Sequence, residues 1–177
     1  MTKTSHQVYL GLGSNLGQKE ENIQRAIALI NEQIGTVVRQ SALFYSEPWG
    51  YESDNQFVNA AILVSTTLTP RQLLRATQRI ERLLGKTKAH ATERSLIDNS
   101  QLPIDNPPFT LHPSPFTLHP SPIYKDRPID IDILTYDDLH LDLPELKIPH
   151  PLMQMRDFVM IPLREIGFTY ADPVPSR

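Results

Sequence analysis

The residues best suited to do chemistry stand in one short run, Arg127-Pro128-Ile129-Asp130-Ile131-Asp132-Ile133-Leu134. Isoleucines alternate with carboxylates, and as a β-strand this pattern puts Ile129, Ile131 and Ile133 on one face. Asp130 and Asp132 then project together from the other, about 7 Å apart along the strand. Two carboxylates so placed can ligate one Mg²⁺, which takes hard oxygen ligands and usually completes its shell with water and substrate phosphate. Arg127 just before the strand has the planar fork that meets phosphate oxygens. Metal-assisted phosphoryl chemistry is one reading. The other is an edge strand whose acidic face discourages aggregation, and the spacing alone does not separate them.

The composition bounds what must position this run. The chain has 177 residues, 40% of them hydrophobic, which is enough for one globular domain with a real core. Its formal charge of −3 gives no global attraction for nucleic acid, so any anion site must be a local cluster. With no cysteine, thiolate catalysis, disulfides and Cys-ligated zinc are excluded. Residues 1–7 are polar, without the apolar core of a signal peptide, and no apolar run reaches the length of a membrane span. The expectation is a cytoplasmic protein with no membrane contact.

Val8 to Gly13 reads as a buried strand entering the turn Gly13-Ser14-Asn15-Leu16-Gly17, followed by a helix over about 18–31 with Ile23, Ala26, Ile27 and Ile30 as its apolar stripe. The turn is neither a Walker loop nor a Rossmann fingerprint. Thr36 to Tyr45 reads as one strand, and Glu47-Pro48-Trp49-Gly50 as a loop whose aromatic ring can stack on a planar ligand or cap the core. A third strand, Phe57 to Thr66, places Asn59 on an apolar face, where its amide needs a protein partner or a heterocycle edge. Thr69-Pro70 starts a helix that Gly85 stops, with Leu73, Ala76, Thr77, Ile80 and Leu84 inward and Gln78 and Glu81 on one flank. Arg71, Arg75, Arg79 and Arg82 line its exposed side.

Residues 86–125 lose all periodicity. They contain a perfect tandem repeat, Pro108-Phe109-Thr110-Leu111-His112-Pro113-Ser114 and then 115–121. Two seven-residue proline-rich units cannot build a core, so a local duplication tolerated in a long loop is expected. Beyond the acidic strand, Asp137-Asp138 makes a turn, 139–143 a short returning strand, 152–156 a short helical stretch and 158–166 a last helix interrupted by Pro162. His150 and Arg156 are candidate anion contacts and Phe158 a candidate stacking ring, or equally a capping histidine, a surface arginine and a core phenylalanine.

In order, Gly-Leu-Gly-Ser-Asn-Leu-Gly at 11–17, Ser-Glu-Pro-Trp-Gly at 46–50, Phe-Val-Asn-Ala at 57–60, Gln-Arg-Ile-Glu at 78–81, the acidic run at 127–134 and Ile-Pro-His-Pro at 148–151 resemble the 6-hydroxymethyl-7,8-dihydropterin pyrophosphokinases. The resemblance covers nearly the whole chain apart from a loop insert at about 87–124. It implies a single α+β domain, a ferredoxin-like sandwich with a small, mostly antiparallel sheet. It also implies a monomer that transfers the diphosphoryl group of ATP to 6-hydroxymethyl-7,8-dihydropterin in folate biosynthesis, with two Mg²⁺ ions. By match to the family's motifs, Asp130 and Asp132 are metal ligands, and Arg127 and Lys86 act on the phosphates. Gln78, Glu81, Lys86, Lys88, Arg127, His150 and Arg156 fall on the ATP side. Glu47, Pro48, Trp49, Phe57, Asn59 and Phe158 fall on the pterin side. One departure stands out: such enzymes carry a small residue and proline before the arginine, and a tryptophan in the loop, whereas here Lys125-Asp126 precedes Arg127. Lys86, Lys88, Arg94 and Lys125 are the basic residues left to serve that loop. The alternative is a non-catalytic pterin- and nucleotide-binding module of the same fold; an ordinary kinase that releases ADP is a further one.

Overall fold

The computed structural model describes residues 4–49, 52–86 and 126–169. A five-stranded antiparallel sheet divides the protein into two layers. Its strands are β1 (His6–Ser14), β2 (Gly35–Gln40), β3 (Phe44–Ser46), β4 (Phe57–Thr66) and β5 (Asp130–Tyr136). The order across the sheet is β2-β4-β1-β5, with β3 pairing the end of β4 beyond β2. Helices α1 (Lys19–Gln33) and α2 (Pro70–Leu83) pack on one face, and α3 (Asp157–Glu165) on the other. A hairpin of β6 (Leu141–Leu143) and β7 (Leu146–Ile148) and a 3-10 turn at Met153–Met155 lead into α3.

The helical face holds most of the core. Val8, Leu10 and Leu12 of β1, Val58, Ala60, Ile62 and Val64 of β4, and Ile129, Ile131 and Ile133 meet the inward stripes of α1 and α2. The expected α1 stripe is fully realised: Ile23, Ala26, Ile27 and Ile30 are all buried. Complete burial of an isoleucine stabilises by about 1.5–3 kcal/mol. Thr69 caps α2 in a reciprocal box with Gln72, and Pro70 occupies the first turn, where no N–H is needed. At the other end Gly85, at φ +98°, reverses the chain. Its N–H bonds Arg82 O, and the N–H of Lys86 bonds Glu81 O.

The opposite face is shared. Ala61 and Leu63 of β4 and Leu134 of β5 lie under α3 with Met153, Met160 and Leu163. The other end of that face is not under this cluster, and it carries the polar residues.

Two expectations need correction. The single strand over 36–45 is two: Ser41 keeps its N–H on Ala61 O at 2.9 Å, but its hydroxyl accepts the Ala61 N–H at 3.0 Å, and the regular pairing stops there. The returning strand begins at Leu141 rather than 139, and its partner β7 was not foreseen, being only three residues long. The short helical stretch expected over 152–156 forms as a 3-10 turn at Met153–Met155. Pro162 does fall inside α3, where it removes the N–H that would bond the carbonyl of Phe158.

Candidate active site

The polar end of the sheet is organised by register. Gly13 pairs Asn59 on one side and Asp130 on the other, while Gly11 pairs Ala61 and Asp132. Cross-strand partners share a face, so Asp130, Gly13 and Asn59 form one row. With strands about 4.8 Å apart, Asp130 and Asn59 are about 10 Å from each other across a residue with no side chain. A Cβ at Gly13 would lie 3.3 Å from Asn59 Oδ1 and 3.6 Å from a Phe57 ring carbon. The glycine therefore keeps a bare patch of sheet between an acidic half-site and an amide–aromatic one.

On the acidic side, the turn at Gly85 brings Lys86 back over its own helix. Lys86 Nζ donates to Glu81 Oε1 at 2.9 Å and to Asp130 Oδ1 at 2.6 Å. Glu81 Oε1 also accepts the Ile131 N–H at 2.8 Å, which ties α2 to β5. Arg127 Nη1 stands 3.7 Å from Asp130 Oδ2. Burial, together with the charge of Asp130, pushes the Glu81 carboxyl up to about 7. Burial also opposes the charge on Asp130, but Lys86 and Arg127 outweigh it and hold that carboxyl well below the usual range. The same two carboxylates raise the Lys86 ammonium against its own desolvation. Glu81 is thus a buried support beneath Lys86, while Gln78, one turn earlier, is exposed.

His150 is placed by an irregularity in β5. The register with β1 slips between Tyr9 and Leu10, which pair Thr135 and Ile133 and leave Leu134 as the extra residue. Leu134 lies across Gly11, where a Cβ would sit 3.3 Å from its Cδ1. Its carbonyl accepts the His150 N–H at 2.8 Å. His150 Nδ1 in turn accepts the Leu152 N–H at 3.3 Å.

On the other side, Asn59 is buried and donates to Ser46 Oγ at 2.9 Å and Phe44 O at 3.2 Å. Its amide nitrogen is thus held by β3 and its Oδ1 lies beside Gly13. Phe57 is buried, with the Arg127 guanidinium 5.6 Å from its ring centroid. Arg156, expected at the surface on one reading, is 8% exposed and lies 4.7 Å over Trp49 and 5.8 Å over Phe158. Glu47 is exposed and accepts from Gln56 Nε2 at 2.5 Å, which closes the loop around half-buried Pro48. Lys88, Arg94, Lys125 and the tandem repeat lie outside the described residues.

A model of the family described as 7,8-dihydro-6-hydroxymethylpterin-pyrophosphokinase (HPPK) matches residues 9–121 and 118–167. The chain belongs to this family. An HPPK of Porphyromonas gingivalis is 34% identical over 161 residues, covering 90% of each chain. One of Bacillus subtilis is 31% identical over 159 residues, 89% of this chain and 76% of that one. Among solved structures, the HPPK-DHPS of Plasmodium falciparum superposes with a TM-score of 0.58 at 14% identity, over 92% of this chain and 41% of its own. That likeness shows a shared fold, and this chain spans about two fifths of the longer protein.

Asp130 and Asp132 suit the Mg²⁺ of an HPPK by chemistry. Among the described residues no three His, Asp, Glu or Cys side chains form a metal cluster. A pair of carboxylates beside bare glycines is the donor set for an ion that takes its remaining ligands from phosphate and water. The sequence reading gives no role to Ser14, Asn15, Ser46, Ser53, Asn55 or Asp126, whose hydrogen bonds hold this candidate site together. Ser14, Asn15 and Ser46 lie in family motifs and Asp126 in a departure from one, whereas Ser53 and Asn55 carry no signal.

Proposed function

We propose that this chain transfers the β,γ-diphosphoryl group of ATP to the hydroxymethyl oxygen of 6-hydroxymethyl-7,8-dihydropterin, releasing AMP. The observation that carries the reading is the cross-strand row Asp130–Gly13–Asn59; it supports reading its acidic end as a metal–phosphate half-site and its amide end as a heterocycle half-site. A new bond forms from the hydroxymethyl oxygen to Pβ. The bond broken joins Pβ to the oxygen that leaves with AMP, and the hydroxyl proton is released.

Asp130 and Asp132 would hold two Mg²⁺ ions, whose charge neutralises the phosphates and lowers the cost of deprotonating the hydroxyl. Lys86 and Arg127 flank Asp130 and supply fixed positive charge where the transferred group accumulates negative charge. Asn59 Oδ1 accepts from the pterin edge, and Phe57 and Phe158 give it apolar faces. The Pro48–Trp49 loop with Glu47 closes that side. Gln78, Glu81, His150 and Lys88 complete the ATP side, with Glu81 acting through Lys86, while Arg156, expected there, packs over the pterin-side rings of Trp49 and Phe158 and can reach phosphate only from that side. The reading takes the enzyme as a monomer, as the family resemblance implies, and keeps the cytoplasmic expectation drawn from the polar N-terminus; no described helix is long and apolar enough to cross a membrane.

Nucleotide product analysis with ATP, Mg²⁺ and the pterin tests this. Stoichiometric AMP that disappears in an Asp130→Ala/Asp132→Ala protein is the expected result. ADP would redirect the assignment to a monophosphoryl kinase, and binding of both ligands without turnover would leave a binding module.

A further inference from the structure

The position that departs from the family pattern, Asp126, accepts hydrogen bonds from three side chains. Its Oδ1 accepts from Asn15 Nδ2 at 2.7 Å and from Ser53 Oγ at 2.8 Å. Its Oδ2 accepts from Asn55 Nδ2 at 2.6 Å. The donors come from two segments far away in sequence, the turn after β1 and the loop between β3 and β4. Hydrogen bonds to an ionised acceptor are short and strong, and each fixes a direction as well as a distance.

What these bonds connect gives them a functional reading. Asn15, 1% exposed, uses its other side-chain atom to accept the Arg127 N–H at 2.8 Å, and its own N–H bonds Arg127 O at 3.2 Å. Ser14 Oγ donates to Pro128 O at 2.6 Å. The backbone of the arginine beside the phosphate half-site is therefore clamped on both sides. Ser53 and Asn55 belong to the loop that begins at Glu47-Pro48-Trp49 and ends at Phe57. Its closing end is held by Gln56, whose carbonyl accepts from Lys19 Nζ at 3.0 Å.

We propose that Asp126 is a positioning residue that joins the pterin-side loop to Arg127 and so fixes the separation of the two half-sites. A proline, which the family pattern usually places here, accepts nothing through its side chain, so the connection depends on the aspartate. The inference rests on the activity proposed above. A displacement of about 1 Å between reacting groups can cost 100-fold in rate, so a tie of this kind acts on turnover more than on folding.

The test compares the wild-type protein with Asp126→Ala, Asp126→Asn, and the exchange of Asp126→Asn with Asn55→Asp, which reverses donor and acceptor on one arm. For Asp126→Ala, kcat falls about 10- to 100-fold and the pterin KM rises several-fold, while the KM for Mg-ATP stays within about 2-fold. Adding Ser53→Ala and Asn55→Ala to Asp126→Ala causes no further loss, as expected for groups acting as one unit. The exchange recovers part of the rate lost in Asp126→Asn. Unchanged kcat and pterin KM would overturn the proposal. So would equal weakening of both substrates with a matching fall in Tm, or a failure of the exchange to recover anything. If Asp126→Ala does not fold, the Asp126→Asn pair decides alone. Wild-type AMP release in the same assay reports separately on the activity itself.

Discussion

Lys86 Nζ sits 2.6 Å from Asp130 Oδ1, so a carboxylate proposed to bind metal already carries an internal cation. The lysine also serves the buried Glu81, and both side chains of that second pair are at most 14% exposed. Removing one partner of such a pair strands the other's charge. Lys86→Met should therefore cost about 3 kcal/mol of stability by urea unfolding in EDTA. A cost below about 0.5 kcal/mol, the scale of an exposed pair, would show that the bridge is not formed in solution.

Glu81 makes the metal-free protein sensitive to pH. Its carboxyl titrates at about 7 when folded against 4.5 for the ordinary group. A raised pKa gives stability that is complete below pH 4.5 and lost as pH rises through about 7. The loss should be of order 1–3 kcal/mol. Asp130, whose pKa is lowered, acts oppositely and only at strongly acid pH. Unfolding in EDTA from pH 4.5 to 7.5 should show the decline in the wild type and a flatter profile in Glu81→Gln. Parallel profiles would assign the decline to another group.

The bare row at Gly13 should be intolerant of a methyl group. Gly13→Ala brings a Cβ to 3.3 Å from Asn59 Oδ1, on the face where the pterin edge is placed. Pterin affinity should drop about 10-fold, equivalent to about 1.4 kcal/mol, with Tm nearly unchanged. Asn59→Ala should lose as much affinity and also some stability, because Ser46 Oγ and Phe44 O lose a donor. Calorimetry with the pterin and an ATP analogue separates the two variants.

Gly35 serves the fold alone. A Cβ there would lie 2.2 Å from Ser65 O, which is backbone and cannot swing aside. Gly35→Ala should cost about 1–3 kcal/mol, read as a lower urea midpoint at unchanged slope. An unshifted midpoint would mean that β2 and β4 separate easily at that end.

Deleting 108–121 should leave both ligand affinities within about 2-fold, since halving a loop changes its closure cost by only about 0.6 kcal/mol. Loss of pterin affinity in the shortened protein would give the duplicated segment a role in binding.

The alternation in β1, β4 and β5 and the stripes of α1 and α2 were legible because each element obeys one period over several turns or pleats. The acidic pair was legible for the same reason. Asp130 and Asp132 could only share the face that Ile129, Ile131 and Ile133 do not use. Sequence could not show that Gly13 separates Asp130 from Asn59, because pairing of strands so distant in the chain is set by tertiary packing. Nor could it show Glu81 buried under Lys86: helical spacing placed it beside Gln78, and the Ile131 N–H from another element drew it inward. Asp126 read as a departure from pattern, and its meaning came only with Asn15, Ser53 and Asn55 around it.

The extra residue at Leu134 divides β5 into two stretches with opposite parity. Before it, odd-numbered side chains face the helices; after it, Tyr136 does. A one-residue insertion or deletion in a strand ordinarily turns every later side chain inside out. In β5 a shift of phase is already absorbed at one point, which insulates the carboxylates from length changes toward the β6 hairpin. The carbonyl of that extra residue is the one holding His150. The strand's frame shift and the histidine's address therefore rest on one residue, and a chain that lost the first would misplace the second.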